Sequence, residues 1–348
     1  MDLMKSIYRM NWVALFLLFA LVSCKGNDVP APEEGNMLIR WDVRSEGMAD
    51  GRTLINDDAG LQVACTPGSG DEAIGIWSAY RLNEDSVKNV LGVNEDVSLV
   101  YSAGTTTGWT YGETPAFWKY KAVYYFNAYF PKEDGLASIV NDSTSLKGTY
   151  NTETTQTDLM VSRVKVDTND ASFQGSPVAL PMEHALATLK FIFLVEGGNG
   201  TNEFELKSFS LDNTLKTKAS LNFNTSAISI ANWSVETPQA SGDGRIHEWS
   251  DEDGVPFTQT IGGSPYSQTN AGHLFVIPQT CESAPAFYCT IDMNLPYDVS
   301  FENISLGTTQ FEPGKNYIYT IKVRENALDL NLSIKDWNEL DSSYNIDF

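Results

Sequence analysis

Residues 122–131 read AVYYFNAYFP, and apolar side chains occupy every second position of this stretch. One face of an extended chain would carry Ala122, Tyr124, Phe126, Ala128 and Phe130, and the other Val123, Tyr125, Asn127 and Tyr129. A period of two indicates a β-strand, because successive side chains of a strand point to opposite sides. Pro131 ends the pattern, as expected of a residue that cannot donate to a ladder. The stretch therefore predicts a core strand.

The same period of two returns in residues 186–198, 286–295 and 317–323, with clusters of glycine, asparagine and proline between the segments. Only residues 85–93, DSVKNVLGV, favour a short helix. The sequence therefore predicts an all-β protein. Many short strands joined by polar turns are typical of β-sandwiches.

The chain has 348 residues, a length that favours two domains, since domains usually hold about 100–200 residues. We place the boundary near residue 180, where the polar stretch 162–177 gives way to the strong strand pattern after His184. The expected N-terminal domain covers residues 36–180 and the expected C-terminal domain residues 181–348.

The first residues have the order of an export signal. Lys5 and Arg9 precede an apolar run, residues 12–22, that is shorter than the about 20 residues of a membrane-spanning helix. The run ends in Leu-Val-Ser-Cys, which resembles a bacterial lipobox, so residues 1–23 are predicted to be removed and Cys24 to carry a lipid anchor. The alternative is an ordinary secretory signal with a chance cysteine.

Residues 24–35 are polar and rich in proline and glycine, and they predict a flexible tether. The formal net charge of the chain is −22, and loss of Asp2, Lys5 and Arg9 with the signal would make it −23. Nucleic acids and anionic membrane surfaces recruit positively charged faces, so this excess argues against either as a partner.

No catalytic or metal-binding motif is evident. His184, His247 and His273 lack the spacing of a metal site, and Asp251 and Asp253 are a fragment of a calcium loop without its other ligand positions. A pair of carboxylates for glycoside hydrolysis stays open, because in a β fold such residues meet only in three dimensions. We therefore predict no enzyme activity, no cofactor and no metal.

Aromatic and cysteine residues leave two further questions open. Exposed tryptophans could stack on sugars, although tryptophans of a sandwich lie more often in the core; the candidates are Trp77, Trp109, Trp118, Trp233 and Trp249. Cys281 and Cys289 could form a disulfide in an oxidising compartment, and the sequence does not decide whether they do.

Near the start, MLIRWDVR (residues 37–44) forms a complete amphipathic strand pattern, with Met37, Ile39, Trp41 and Val43 on its apolar face. A polar, glycine-containing loop follows it, with Arg44 at one end and Arg52 near the other. An arginine-specific protease would find exposed sites in such a loop. Cleavage there would cut the first strand from the rest of the fold.

Near the other end, LDLNLSIKDW (residues 328–337) alternates as regularly, with Leu328, Leu330, Leu332 and Ile334 on one face. Burial of such a face contributes on the order of 6 to 12 kcal/mol before ordering costs. Both segments could be ordinary terminal strands. Alternatively, loss of one opens a groove that a neighbour's strand fills by β-augmentation.

Several segments together resemble the fimbrillin family of Bacteroidales, including its minor-fimbrillin-like lipoproteins, type V pilins. The resemblance is carried, in order, by the lipobox, AIGIWSAY (73–80), AVYYFNAYFP (122–131), TDLMVS (157–162), MEHALATLKFIF (182–193), FVIPQT (275–280) and GKNYIYTIKV (314–323). It implies two transthyretin-like β-sandwich domains in tandem and a structural pilin, exported as an outer-membrane lipoprotein precursor and displayed in a cell-surface fimbrium.

The resemblance also implies maturation by an arginine-specific or trypsin-like protease, followed by strand exchange with other pilin subunits. MLIRWDV would be the removable strand, and Arg44 or Arg52 the cleavage site, with Arg52 preferred because the glycine before it suggests an open loop. LDLNLSIKDW would be the donor strand or its docking partner. These features favour a stalk subunit over a tip or an anchor. The alternative function is a surface lipoprotein that binds glycans through exposed aromatics.

Overall fold

The structure, a computed structural model, describes residues 37–45, 57–70, 72–82, 88–89, 97–104, 108–111, 116–132, 136–141, 145–170, 172–195, 204–236, 244–257, 260–262, 273–324 and 327–336. These residues form strands, one α-helix (α1, Asp58–Ala64) and one 3-10 turn (Ile230–Asn232). The strands of the first half are β1 (Trp41–Ser45), β2 (Ile74–Leu82), β3 (Lys88–Asn89), β4 (Val97–Tyr101), β5 (Trp109–Tyr111), β6 (Ala122–Phe130), β7 (Leu136–Asn141), β8 (Leu146–Asn151), β9 (Met160–Asp167) and β10 (Val178–His184). The strands of the second half are β11 (Ala187–Val195), β12 (Phe204–Asp212), β13 (Lys218–Phe223), β14 (Trp233–Val235), β15 (Arg245–Phe257), β16 (Thr260–Gly262), β17 (His273–Val276), β18 (Gln279–Thr280), β19 (Ala286–Asp292), β20 (Val299–Ser305), β21 (Gln310–Phe311), β22 (Lys315–Arg324) and β23 (Ala327–Asp336).

One sheet dominates the first half, with the strand order β1-β10-β9-β6-β2-β4-β5 and with β3 beside β2. The predicted core strand, β6, lies at its centre between β9 and β2, and its residues Tyr124, Phe126 and Ala128 are fully buried. The edge strands β1 and β5 approach each other where Trp41 meets Tyr111 edge-on. The sheet therefore curves around its own core.

The second half is a sandwich of two sheets. One has the order β16-β11-β22-β23, with β17 also paired to β11, and the other has the order β15-β12-β19-β20. Phe191 on β11 contacts Phe209 and Phe287 of the opposite sheet, with ring centroids 4.7 and 6.0 Å apart. This aromatic cluster is the centre of the second core.

A third sheet, β14-β13-β8-β7, joins the two halves, because β8 belongs to the first half and β13 to the second. The two strands pair antiparallel from Leu146 opposite Phe223 to Asn151 opposite Lys218. In the same sheet, Trp233 of β14 donates its Nε1–H to the carbonyl of Ala185 at 3.1 Å. The two halves are therefore fastened by a hydrogen-bonded sheet as well as by the chain that connects them.

The all-β prediction is confirmed. The helix predicted at residues 85–93 is wrong at Lys88–Asn89, which pair with Tyr80 and Ala79 of β2. Residues 180 and 181, where the domain boundary is predicted, both lie inside β10, and the chain passes to β11 through residues 185–186. No helix of the described part of the chain is long and apolar enough to cross a membrane.

Candidate functional site

The segment from Met37 to Ser45, which contains β1, is hydrogen-bonded on both sides. On one side the Ile39 N–H donates to the Ala116 carbonyl and the Trp118 N–H to the Met37 carbonyl, both at 2.9 Å. On the other side β1 pairs in parallel with β10, beginning where the Val178 N–H donates to the Arg40 carbonyl at 2.7 Å. The segment therefore lies between residues 116–118 and β10.

The side chains of this segment alternate between core and solvent as the sequence pattern predicts. Ile39 and Trp41 have no exposed surface and Val43 has 3%, while Met37 is half-buried and packs beside Gly175. On the opposite face Arg44 is exposed and forms an ion pair with Asp42 at 2.8 Å. The apolar face of the segment is part of the first core.

The largest side chain of this face is Trp41, which is fully buried. Its ring meets Tyr111 at 5.9 Å and Phe126 at 5.2 Å between centroids, edge-on in both cases. Its Nε1–H is buried and has no hydrogen-bond partner among the described residues. The indole therefore occupies an apolar, aromatic-lined cavity, which it fills by shape.

Tyr111 closes one side of this cavity and also holds the backbone. Its hydroxyl donates to the Ile39 carbonyl at 3.2 Å and accepts the Ala116 N–H at 2.9 Å. Burial raises the pKa of the Tyr111 hydroxyl, so it remains a neutral donor at physiological pH. Tyr111 and residues 116–118 belong to the site but escaped the sequence analysis, since no local pattern marks a pairing across more than 70 residues.

After β1 the chain returns to the same place through α1. The Ser45 N–H donates to the Asp58 carboxylate at 2.5 Å, and the Asp57 carboxylate caps α1 by accepting the Gly60 N–H at 2.6 Å. Of the two candidate cleavage sites, Arg44 lies within β1, in register with Pro181. Arg52, between Ser45 and Asp57 in the sequence, lies outside the described residues. Cys24, near the start of the chain, lies outside them as well.

The second predicted strand, β23, forms a hairpin with β22. The two pair along their whole length, from Lys315 opposite Asp336 to Arg324 opposite Ala327. The side chains Leu328, Leu330 and Leu332 are partly buried and pack on the second core, whereas Ile334 is 52% exposed. β23 is the last strand of its sheet among the described strands, so its outer edge faces away from the sheet.

Among the polar candidates whose side chains the structure describes, His184 and His247, no common site is formed. His184 pairs with Asp158 at 3.0 Å in the buried junction, and burial lowers the pKa of His247 to about 4. The side chains of His273, Asp251 and Asp253 lie outside the described part of the structure. Within that part, no group of three or more histidine, cysteine or acidic residues could hold a metal ion.

The aromatic and thiol candidates are mostly buried. Trp109, Trp118 and Trp233 are 5, 1 and 7% exposed, and Trp77 and Trp249 are partly buried against the cores. Trp249 borders a shallow cavity of about 240 Å³ on the sandwich of the second half. Cys65, Cys281 and Cys289 are buried free thiols.

Comparison with known proteins places this architecture. The fimbrillin-like family model matches residues 66–337, beginning just after α1. A fimbrial protein from Bacteroides vulgatus has a similar structure with a TM-score of 0.59, at 16% identity over 87% of this chain and 100% of that chain. A candidate cell adhesion protein from Bacteroides uniformis follows with a TM-score of 0.48, at 18% identity over 86% of this chain and 98% of that chain.

The tip fimbrial protein Mfa3 from Porphyromonas gingivalis, with a C-terminal truncation, gives a TM-score of 0.36 at 13% identity over 76% of this chain and 95% of that chain. A comparison with curated protein sequences finds no match.

Proposed function

The chain belongs to the fimbrillin-like family, and from this we propose that it is a structural fimbrial subunit activated by loss of its first strand. It would be exported as a lipoprotein precursor held at the outer membrane by Cys24, cut by an arginine-specific or trypsin-like protease, and polymerised into a surface fimbrium by β-strand exchange. The observation that carries the proposal is the position of the segment from Met37 to Ser45, which is hydrogen-bonded to residues 116–118 and to β10 and lies over the first core.

Removal of the segment from Met37 to Ser45 would leave a groove whose apolar and backbone groups lack partners, so binding of another strand there would be favourable. Loss of the buried side chains of Ile39, Trp41 and Val43 would expose the apolar core surface that they cover. Burial of each such side chain contributes a free energy on the order of 2 kcal/mol. Backbone groups would lose their partners as well, such as the N–H of Val178 and the carbonyl of Ala116. An extended strand from another subunit would restore both kinds of contact.

The pairing of Arg44 with β10 argues against it as the cleavage site and so favours Arg52. A trypsin-like protease binds its substrate as an extended chain free of other pairing, and Arg44 is held in the ladder with β10. Ser45 and Asp57, which precede and follow the segment that contains Arg52, both contact α1. A cut after Arg52 would release the complete β1.

β23 supports the exchange either as the donor or as the strand on which a donor docks. Its outer edge offers backbone groups, and its apolar face already packs on the second core. The alternative function, glycan binding through exposed aromatics, has weaker support, because three of its five candidate tryptophans are at most 7% exposed.

Limited digestion of the purified precursor with an arginine-specific protease tests the proposal, with mass spectrometry of the products and native gels for oligomers. We expect one cut after Arg52 and a resistant body that forms a ladder of oligomers. The Arg52→Ala precursor should stay whole and monomeric, and the matched Arg44→Ala precursor should behave like the unmodified chain. A body that is cut cleanly but forms no ladder would contradict strand-driven assembly.

A further inference from the structure

A shallow cavity lies on the outer face of one sheet of the second half. The sheet has the order β15-β12-β19-β20, and the cavity, of about 240 Å³, is lined by residues of all four strands. Phe209 of β12 and Cys289 of β19 belong to the second core, so the residues that alternate with them point to the other side. Four of these outward residues line the cavity: Ser208, Ser210, Tyr288 and Thr290. The cavity is therefore built mainly on the solvent side of the sheet.

A row of hydroxyl groups crosses the sheet at the cavity. Ser208 lies opposite Ser250 of β15 and opposite Thr290 of β19. Thr290 in turn lies opposite Ser300 of β20, with 3.2 Å between the two hydroxyl oxygens. All four residues line the cavity. Because a hydroxyl group both donates and accepts hydrogen bonds, the row can bond to either kind of polar group on a ligand.

A β-bulge in each edge strand brings a carboxylate to the next row. In β15, Glu248 and the residue before it lie opposite Ser210. In β20, Glu302 and the residue after it lie opposite Tyr288. The neighbour of each glutamate has a positive φ, 50° in β15 and 56° in β20. Bulges often re-aim a side chain beside a functional site, and here both glutamates line the cavity.

A guanidinium group is held in place at the same row. Arg245 lies over the ring of Tyr288, with 4.3 Å between its guanidinium carbon and the ring centroid, and both residues line the cavity. Stacking on an aromatic ring orients the N–H donors of an arginine. Ser210, next to Tyr288 across the ladder, is only 5% exposed although it points away from the core, so it belongs to the cavity floor. The cavity thus combines oriented donors with carboxylate acceptors.

This lining matches a neutral sugar ring. The hydroxyl groups around a pyranose both donate and accept, and the serine, threonine, glutamate and arginine side chains supply partners for both roles. Two carboxylates and one guanidinium give the cavity a formal charge of −1, which disfavours acidic sugars and phosphate. The volume is below the about 300–1,000 Å³ of pockets for drug-sized ligands, so it suits a single ring.

We propose that this cavity binds one neutral pyranose unit of a glycan, mainly through polar contacts. Trp249 also borders the cavity, but it packs against the second core. The site differs from the strand-exchange groove, because none of its residues belongs to the segment from Met37 to Ser45. Binding therefore needs no cleavage. In a fimbrium many copies would act together, so weak binding at each copy would add up to firm attachment.

Titration of the purified, uncut chain with methyl glycosides tests the site. The probes are the methyl glycosides of glucose, galactose, mannose, xylose, fucose and N-acetylglucosamine, followed by saturation-transfer NMR and by calorimetry. We expect at least one neutral probe to bind with a Kd of about 1 mM, the affinity that a few net hydrogen bonds provide. Methyl glucuronide, which is acidic, should bind at least about tenfold more weakly than the best neutral probe.

Shape-conserving variants locate the binding. Glu302→Gln should weaken binding of the best probe about tenfold, because it removes a charged acceptor, and Thr290→Val should weaken it several-fold. The matched control is Glu282→Gln, at an exposed glutamate outside the cavity, which should bind like the unmodified chain. Thermal unfolding of each variant checks that the fold is kept.

Two results would overturn the assignment of the site. One is that no neutral probe binds, and the other is that Glu302→Gln and Thr290→Val, both folded, bind as well as the unmodified chain. Equal affinity for methyl glucuronide and the best neutral probe would overturn the choice of a neutral ligand. Since the uncut chain is used throughout, each of these results is independent of strand removal.

Discussion

The ring of Trp41 meets the ring of Phe126 edge-on, with 5.2 Å between centroids and 89° between planes. Trp41 lies on the first strand of the sheet and Phe126 on its central strand. The strand proposed to leave is therefore packed against the middle of the core that stays behind. Its loss would remove contacts from the central strand of the first half.

Replacement of Trp41 should destabilise the precursor according to the shape of the new side chain. We expect Trp41→Leu to lower the free energy of unfolding by about 2–4 kcal/mol, because it leaves a cavity, and Trp41→Phe by less. Urea denaturation measures both. After cleavage and release of β1, the Trp41 variants should have the same free energy of unfolding as the cleaved unmodified protein. The matched variant Trp118→Leu should be less stable both before and after cleavage, because Trp118 remains in the core.

Loss of the Asp58 carboxylate should expose Arg44 to protease. Asp58 accepts the N–H of Ser45, so Asp58→Ala removes a tie at the end of β1 and lets that end fray. We expect the initial rate of tryptic cleavage after Arg44 to rise several-fold, measured by mass spectrometry. Asp57→Ala is the control, because it removes the cap of α1, at about 1 kcal/mol, and leaves the Ser45 contact in place. Equal rates in the two variants would contradict this role of Asp58.

His247 should make the protein less stable in acid. Burial lowers the pKa of His247 to about 4 from 6.5, so between these values the unfolded chain binds a proton that the folded chain does not. Stability contributed by neutral His247 is present above pH 6.5 and is lost as the pH falls toward 4, by up to about 3 kcal/mol. Urea denaturation at pH 7 and pH 4.5 measures the loss.

The matched variant for this measurement is His247→Asn. His247 has a φ of 50°, and asparagine tolerates this left-handed backbone better than most residues. The variant should show a smaller difference between pH 7 and pH 4.5 than the unmodified chain. An identical difference would assign the acid sensitivity to other groups.

The three buried cysteines should be unreactive in the folded protein. Burial raises the pKa of Cys65 and Cys289 to about 12 and that of Cys281 to about 11, so none is a thiolate at neutral pH. In a Cys24→Ser chain we expect no fast-reacting thiol with a disulfide reagent such as DTNB, and three after denaturation without reductant. A single thiol after denaturation would mean that two of the three cysteines form a disulfide, contrary to this prediction.

The alternating segments were predictable because their signal is local. Residues 122–130 carry apolar side chains at every second position, residues 328–335 alternate strictly between apolar and polar, and both spans are strands. Residues 37–43 show the same period, and their side chains alternate between core and solvent in the structure. Where a segment buries one face, its own sequence records which face it is.

Pairing partners were not predictable in the same way. Lys88 and Asn89 lie in a segment, residues 85–93, whose local sequence favours a helix. They instead pair as a strand with β2, so tertiary contacts override the local propensity. The pairing of Ile39 with Ala116, and of β8 with β13, depends on how distant segments meet. The groove around β1 therefore became visible only in three dimensions.

The ladder between β8 and β13 has a mechanical consequence for a subunit in a fibre under tension. Load that enters one half can reach the other through the covalent link at residues 185–186 and through the antiparallel ladder from Leu146–Phe223 to Asn151–Lys218. Hydrogen bonds that are loaded side by side share the force. Such a subunit would resist bending at its waist, and a chain of them would behave as a rod with compliance concentrated at the contacts between subunits.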